Sequence, residues 1–438
     1  MKKNQHKPSL YFICTVAALG GLLFGYDWVV IGGAKPFYEA FFGIADNPIM
    51  QGVAMTTANI GCLVGAMLAG MLADRYGRKP LLIMAAVLFL TSALATGAFN
   101  NFVLFNLARF WGGMGIGLAS ALSPMYIAEV APADRRGRLV SLNQMTIVLG
   151  ILAAQIINLL LAQKTTDSVA IVDTWNGQWG WRWMFWAESI PAALFLVLGF
   201  IIPESPRYLA MKEQSHEKGL TQQPAGLAEL FSHKYSRVLL LGLIIAVFQQ
   251  WCGTNVIFNY AQEIFVAAGF DVNMMFINIV ITGIANVLFT FVAIYTVEKW
   301  GRRKLMLIGA GGLGIIYLIL GFCYYFHVTG IFMVVLVVLA ISCYAMTLGP
   351  ITWVLLSEIF PNRIRGVAMA VCTFALWVGC CTLTFTFPSM NRALGTYGTF
   401  WIYSGVCLCS FIYLFLRCPE TKGKTLEEME SLMIKKTE

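Results

Sequence analysis

Apolar stretches of about 20 residues recur along nearly the whole chain, near residues 10–31, 52–73, 80–99, 103–127, 139–162, 181–202, 237–268, 272–297, 304–326, 331–356, 366–388 and 397–416. As a helix rising about 1.5 Å per residue, such a stretch is long enough to cross the hydrocarbon core of a bilayer. Lipid offers no partner for bare backbone, so only α-helices and closed β-barrels span it. Barrel strands are shorter and alternate in polarity, whereas residues 81–94 and 334–341 are apolar without alternation. An all-α membrane protein with about twelve transmembrane helices is therefore expected. Only 12% of the residues are charged, about half of the roughly 25% usual in a soluble domain.

The net charge of +8 would suggest nucleic acid in a soluble chain, but the placement of the cations argues against that partner. With Met1 inside, 25 of the 30 Lys and Arg fall in inner loops and tails; the outer loops hold only Lys35, Lys164, Arg182 and Arg392, and Arg109 stands inside a span. That asymmetry places both termini in the cytoplasm, as expected for a multi-pass protein of the plasma membrane, here a bacterial inner membrane. The basic N-terminus followed by an apolar run imitates a secretory signal, but the run continues into Asp27 and shows no small-residue cleavage site. The eleven Cys lie mostly in the spans, without zinc or redox spacing. His6, His216, His233 and His327 are scattered, without a ligand cluster or a triad. No metal, cofactor, catalytic residue or enzyme activity is expected. The glycines Gly112, Gly113, Gly115 and Gly117 lack the preceding strand of a nucleotide fold and are expected to pack helices closely.

The longest polar stretch between spans, about 203–236, divides the membrane part into two sets of about six helices, one over 1–202 and one, with a tail, over 237–438. The halves echo one another. The basic loop containing Asp74 returns 224 residues later at Glu298, and the Glu129 to Arg136 segment returns 229 residues later as Glu358 to Arg365. Two motifs repeated in order at nearly one offset indicate parallel repeats, an architecture that places the substrate between the halves near the midplane.

Several motifs carry a specific likeness: residues 20–27 (GGLLFGYD), the loop at 74–79 (DRYGRK), 203–207 (PESPR), Gln249 and Gln250 with Asn255, Gly349-Pro350 with Trp353, and 419–423 (PETKG). Together they resemble the sugar porter branch of the major facilitator superfamily over nearly the whole chain, nearest to bacterial xylose/proton symporters, with facilitative glucose carriers as more distant relatives. The resemblance implies the major facilitator fold, alternating access by two six-helix bundles, a cytoplasmic linker with short helices over 203–236, and a neutral monosaccharide, a pentose or hexose such as xylose, moved with a proton; the chain is expected to act as a monomer.

Three ionisable residues of interest lie within spans, where each charge costs roughly 2.5–3.5 kcal/mol and is usually paired or functional. Counted along the helices, Asp27, Arg109 and Glu188 share a depth about 10 Å from the outer ends. Asp27 is expected to carry the proton, with Arg109 favouring its ionised form and Glu188 competing for the same guanidinium. Amide side chains supply both donors and acceptors for sugar hydroxyls. The resemblance assigns that role to Gln155, Gln249, Gln250, Asn255 and Asn286, beside Gly349, with Phe24, Trp353 and Trp377 as aromatic walls or gates. On an unbroken helix Gln250 and Asn255 would point about 140° apart, so an unwound segment at Gly253 is expected. Leu376 stands where xylose and glucose carriers generally place an amide, and Asn259 where the family often has Tyr; both bear on which sugar is carried.

At the inner ends, Glu129 and Arg136, Glu358 and Arg365, with Arg75 and Arg302, are expected to form ion pairs between the halves that close the cytoplasmic side. A facilitative uniporter is the nearer alternative, and Asp27 argues against it. A sugar sensor is the other; the chain shows only a short polar segment after its last span, where a sensor would carry a long tail.

Overall fold

The computed structural model describes residues 9–132, 135–163, 170–218, 227–361, 364–423 and 428–429. The first residues of the N-terminal tail, the middle of the 203–236 linker and most of the C-terminal tail lie outside the described residues.

The described residues are helical, with no strand among them. In chain order the helices are α1 Leu10–Phe42, α2 Pro48–Tyr76, α3 Arg78–Ala98, α4 Phe102–Val130, α5 Arg136–Leu161, α6 Trp181–Trp186, α7 Ser189–Ile201, α8 Pro206–Lys218, α9 Leu227–Leu230, α10 Ser236–Trp251, α11 Thr254–Asn259, α12 Ala261–Ala267, α13 Val272–Trp300, α14 Arg302–Tyr325, α15 Ile331–Met346, α16 Leu348–Ile359 and α17 Arg365–Arg417. Among the described residues eleven helical stretches are long and apolar enough to cross a membrane. The last, 53 residues long, contains a break at Gly395, whose φ of 70° is not helical, so it holds two spans and makes the expected twelve.

Two differences from the sequence reading concern charge. The first helix does not end near residue 31 but runs to Phe42, so Lys35 is not in an outer loop: it is 2% exposed inside α1. Arg182 likewise is no loop cation; it lies buried in α6, donating to the Gly97 carbonyl at 2.8 Å and to Asn100 Oδ1 at 2.7 Å. Hydropathy stopped the first span short of Lys35, but buried partners for its ammonium let the helix continue.

Contacts group the chain into two compact units. The first comprises Met1–Val30, Ile60–Ile157 and Arg182–Thr221. Within it α3 packs on α4 and α7. Lipid tails are as apolar as the helices, so association here depends on close fit, which small residues permit. A Cβ at Gly117 would lie 2.2 Å from the Cys62 carbonyl, and one at Gly112 would lie 2.3 Å from Ser92 Oγ and 3.0 Å from an Asp27 carboxylate oxygen. The second unit comprises Ile31–Asn59, Asn158–Trp181 and Gln222–Glu438. In it α14 and α10 pack on α17, and α13 on α15. It also takes in the far end of α1, where a Cβ at Gly32 would lie 2.9 Å from the Phe258 carbonyl of α11, and where the Phe37 and Phe276 rings stack at 6.2 Å.

Candidate functional site

In the first unit Asp27 and Arg109 form a buried ion pair, with Nη1 on the Asp27 carboxylate and Nη2 donating to the Asp27 carbonyl at 3.2 Å. The guanidinium also lies 5.3 Å over the Phe185 ring, a desolvated cation–π contact. Glu188, at the break between α6 and α7, is within electrostatic range of both Asp27 and Arg109, and its Oε1 is buried without a hydrogen-bond partner. The three residues picked for their shared depth therefore form one buried group, one cation facing two acids. Gly112 leaves the space that Asp27 occupies. Gln155 of α5 belongs to the same unit; it is 1% exposed, and neither its Oε1 nor its Nε2 has a partner in the protein. Buried amides are almost always satisfied, so Gln155 is suited to a polar guest. Phe24 is half-buried, its ring 5.5 Å from that of Trp28.

In the second unit the expected helix break is present. α10 ends at Trp251, and Gly253 adopts φ 87°, the left-handed region that glycine enters without strain. A side chain there would also strike the Tyr403 ring at 2.9 Å. The break lets Asn255 Nδ2 donate to Gln250 Oε1; Gln250 Nε2 donates to Gln249 Oε1 at 2.7 Å, and Gln249 Nε2 to Tyr344 Oη at 2.7 Å. Three amides and a phenol thus form one directed row. Tyr344 was missed by the sequence reading, although a lone phenol late in an apolar run, five residues before Gly349, was a visible signal. Gly349 faces that same Tyr344: a Cβ there would lie 3.3 Å from the ring's Cε1. Trp353, on α16, is 37% exposed, while Trp377 of α17 and Asn286 of α13 are buried. Leu376 and Asn259 are buried too.

The inner-end charges are built twice on one plan. Gly77 and Gly301 have φ of 93° and 86°, and each turns the following N–H groups of a helix start toward a carboxylate. Glu204 accepts from the N–H groups of Arg78 (3.0 Å) and Lys79 (3.2 Å), and Glu420 from that of Arg302 (2.9 Å). A helix N-terminus favours such an anion. Arg78 then meets Glu129 at 3.0 Å, and Arg302 meets Glu358 at 3.0 Å. A hydroxyl closes each set: Ser205 Oγ donates to Glu129, and Thr421 Oγ1 to Glu358, both at 2.5 Å. The PESPR and PETKG motifs are thus the third member of the duplicated sets. The structure corrects the expectation of Arg75 with Arg302 in ion pairs between the halves: Arg78 is the residue that pairs with Glu129, and each of the two pairs lies within one half. Arg75 is exposed, with its guanidinium 5.3 Å over the Tyr76 ring, and the residue matching Arg302 at the 224 offset is Arg78. Arg136 is exposed at the start of α5, and Arg365 donates to the Phe360 carbonyl at 3.2 Å.

Among the described residues no group of His, Cys, Asp and Glu is arranged to hold a metal ion. A family model described as "Sugar (and other) transporter" matches residues 13–219 and 213–433. An arabinose-proton symporter of Bacillus subtilis is 37% identical, covering 97% of this chain and 95% of the relative. A D-xylose-proton symporter of Escherichia coli is 35% identical over 99% and 97%. A solved inward-open structure of the xylose transporter XylE from E. coli superposes with a TM-score of 0.84 at 36% identity, over 97% of this chain and 100% of that one. The duplicated inner motifs, the broken helix at Gly253 and these matches together place the chain in the sugar transporter family, the sugar porter branch of the major facilitator superfamily.

Proposed function

We propose that the protein is a proton-coupled monosaccharide symporter that works by alternating access, carrying a pentose or hexose, and that it acts as a monomer in a bacterial inner membrane with both termini in the cytoplasm. The relatives named as arabinose- and xylose-proton symporters support this reading, and the observation that carries it is the buried Asp27–Arg109 pair with Glu188 beside it. A buried cation left without its partner costs about 3–5 kcal/mol. When Asp27 takes a proton, Arg109 has a second carboxylate in Glu188, whose Oε1 is free to accept. Protonation can then proceed without stranding the guanidinium, and the proton affinity of Asp27 follows the distance to Arg109 in each state.

The sugar is bound by the row from Asn255 to Gln249, by Gln155 with its two bare amide atoms, and by Asn286, against Phe24, Trp353 and Trp377 near Gly349. The chain is organised as two bundles, 1–202 and 237–438, with the linker over 203–236 joining them. At the cytoplasmic side the duplicated sets of Arg78, Glu129, Arg302 and Glu358, flanked by Arg136 and Arg365, hold the inner ends in one of two arrangements and bias the equilibrium between them.

The test is uptake of a panel of labelled pentoses, hexoses and polyols into vesicles containing the purified protein, with and without an imposed pH gradient. Accumulation of one monosaccharide above its outside concentration only with the gradient is expected. Equilibration at the same rate with and without the gradient would identify a facilitative uniporter, and no uptake of any sugar would overturn the reading.

A further inference from the structure

A second buried charged group lies away from Asp27. Lys35 on α1 is 2% exposed, and its ammonium meets Glu263 of α12 at 2.5 Å and Glu39, one helical turn along α1, at 2.8 Å. It also stands 5.5 Å from the centre of the Tyr260 ring. Tyr260 is fully buried where α11 meets α12, with its hydroxyl donating to the Thr384 carbonyl at 2.6 Å. The two acids differ. Glu39 is on the same helix as Lys35, and its side chain is 7% exposed; Glu263 comes from another helix, and its side chain is 25% exposed.

We propose that Lys35, Glu39 and Glu263 form a releasable latch for the transport cycle: the Lys35–Glu263 pair holds the far end of α1 against α12, and Glu39 keeps the ammonium neutralised when that pair parts. The inference rests on the alternating-access reading. With both termini inside, this is the outer end of α1, beside the broken helix that carries Gln250 and Asn255. Opening there separates α1 from α11 and α12, which approach closely at Gly32. Removing one partner of a buried pair is strongly unfavourable when the other is left bare, so a latch made of Lys35 and Glu263 alone would resist opening. An i, i+4 acid travels with the lysine in every arrangement of the helix. The departing partner is the one already in contact with solvent, so its carboxylate regains water as it leaves.

This division of roles makes the two acids differ in sign. Glu263→Gln removes the pair that must break and favours the open outer end. Glu39→Gln leaves Lys35 with Glu263 as its sole counter-charge and favours the closed one. Simple relief of excess negative charge predicts the same sign for both, since each variant leaves one cation and one anion.

The experiment is hydrogen exchange, read by mass spectrometry, on the full protein in lipid nanodiscs over residues 31–42 and 254–267. Glu263→Gln should exchange faster than the wild type by about tenfold, the ratio that corresponds to ~1.4 kcal/mol, and Glu39→Gln should exchange more slowly. The charge-swapped pair K35E/E263K keeps one cation and two acids and should return exchange toward the wild-type rate, which a variant that merely misfolds would not do. A shift of both single variants in the same direction, or no shift in either, would overturn the latch. Proton-driven uptake by the wild type in the same preparation is scored separately, so absence of transport would count against the symporter reading and not be mistaken for failure of the latch.

Discussion

In each compact unit a cation buried away from the inner-end motifs lies between two carboxylates, Arg109 in the first and Lys35 in the second, yet the two groups are not equivalent. Around Arg109, both Asp27 and Glu188 are sealed from solvent, at 1% and 2% exposure. Around Lys35, Glu39 is sealed but the Glu263 side chain is 25% exposed. A sealed carboxylate can change its charge only by taking up a proton; one at the edge can exchange its partner for water. The same arithmetic of charges thus suits one group to carrying a proton and the other to holding two helices together. The cations differ to match: Arg109 uses two nitrogens on Asp27, a fixed planar grip, whereas the Lys35 ammonium is a point charge on a flexible stem that can turn between acids.

The comparison is broken most directly by neutralising an acid in each group. Asp27→Asn should abolish uphill uptake, with accumulation falling from about tenfold per pH unit, the value for one proton per sugar, to none, while exchange of labelled for unlabelled sugar persists. Glu263→Gln, measured in the same vesicles, should keep its accumulation ratio within about twofold of the wild type, since a latch sets rates and not the driving force. Equal losses of coupling in both variants would remove the distinction. Next in size is Arg109→Lys, which keeps the charge but loses the two-nitrogen grip and should lower proton-driven uptake by about 30-fold, in line with the ~2 kcal/mol of a charge-assisted hydrogen bond. A variant outside both groups sharpens the contrast: Gln250→Ala should raise the KM for sugar by about tenfold, as for one lost hydrogen bond and its orphaned neighbour, without changing the accumulation reached at saturating sugar. The smallest effect is expected at the inner ends. Glu358→Gln weakens the Arg302 and Thr421 contacts and should increase cysteine-labelling access from the cytoplasmic side by about threefold, a change of under ~1 kcal/mol.

Much of the fold was legible because lipid imposes simple rules. Span length and the spacing of the duplicated motifs come from covalent sequence and a slab of hydrocarbon, and they yielded the apolar helices and the two matching inner-end sets. Gly253 was legible for a stereochemical reason, since two amides on opposite faces of one helix needed a residue able to turn left-handed between them. Lys35 was not legible, because its partner Glu263 is 228 residues away and hydropathy registers a cation without registering what neutralises it. Which arginine of the first basic loop meets Glu129 was not legible, because Arg75 and Arg78 stand beside the same turn; the left-handed Gly77, which aims the start of α3 at Glu204, tells them apart. The repeat register held that information, since a 224-residue step from Arg78, not from Arg75, reaches Arg302.

The row running from Asn255 through Gln250 and Gln249 to Tyr344 has a polarity. Every amide hydrogen in it points the same way, so the row ends in a carbonyl oxygen on one side and in a phenolic proton on the other. An epimer whose hydroxyl demands the opposite character at either end cannot be met by turning over one side chain, because each amide holds its neighbour in place. All three would have to invert together. Stereochemical selection at such a row is collective, and a single inverted carbon in the carbohydrate is resisted by the whole row.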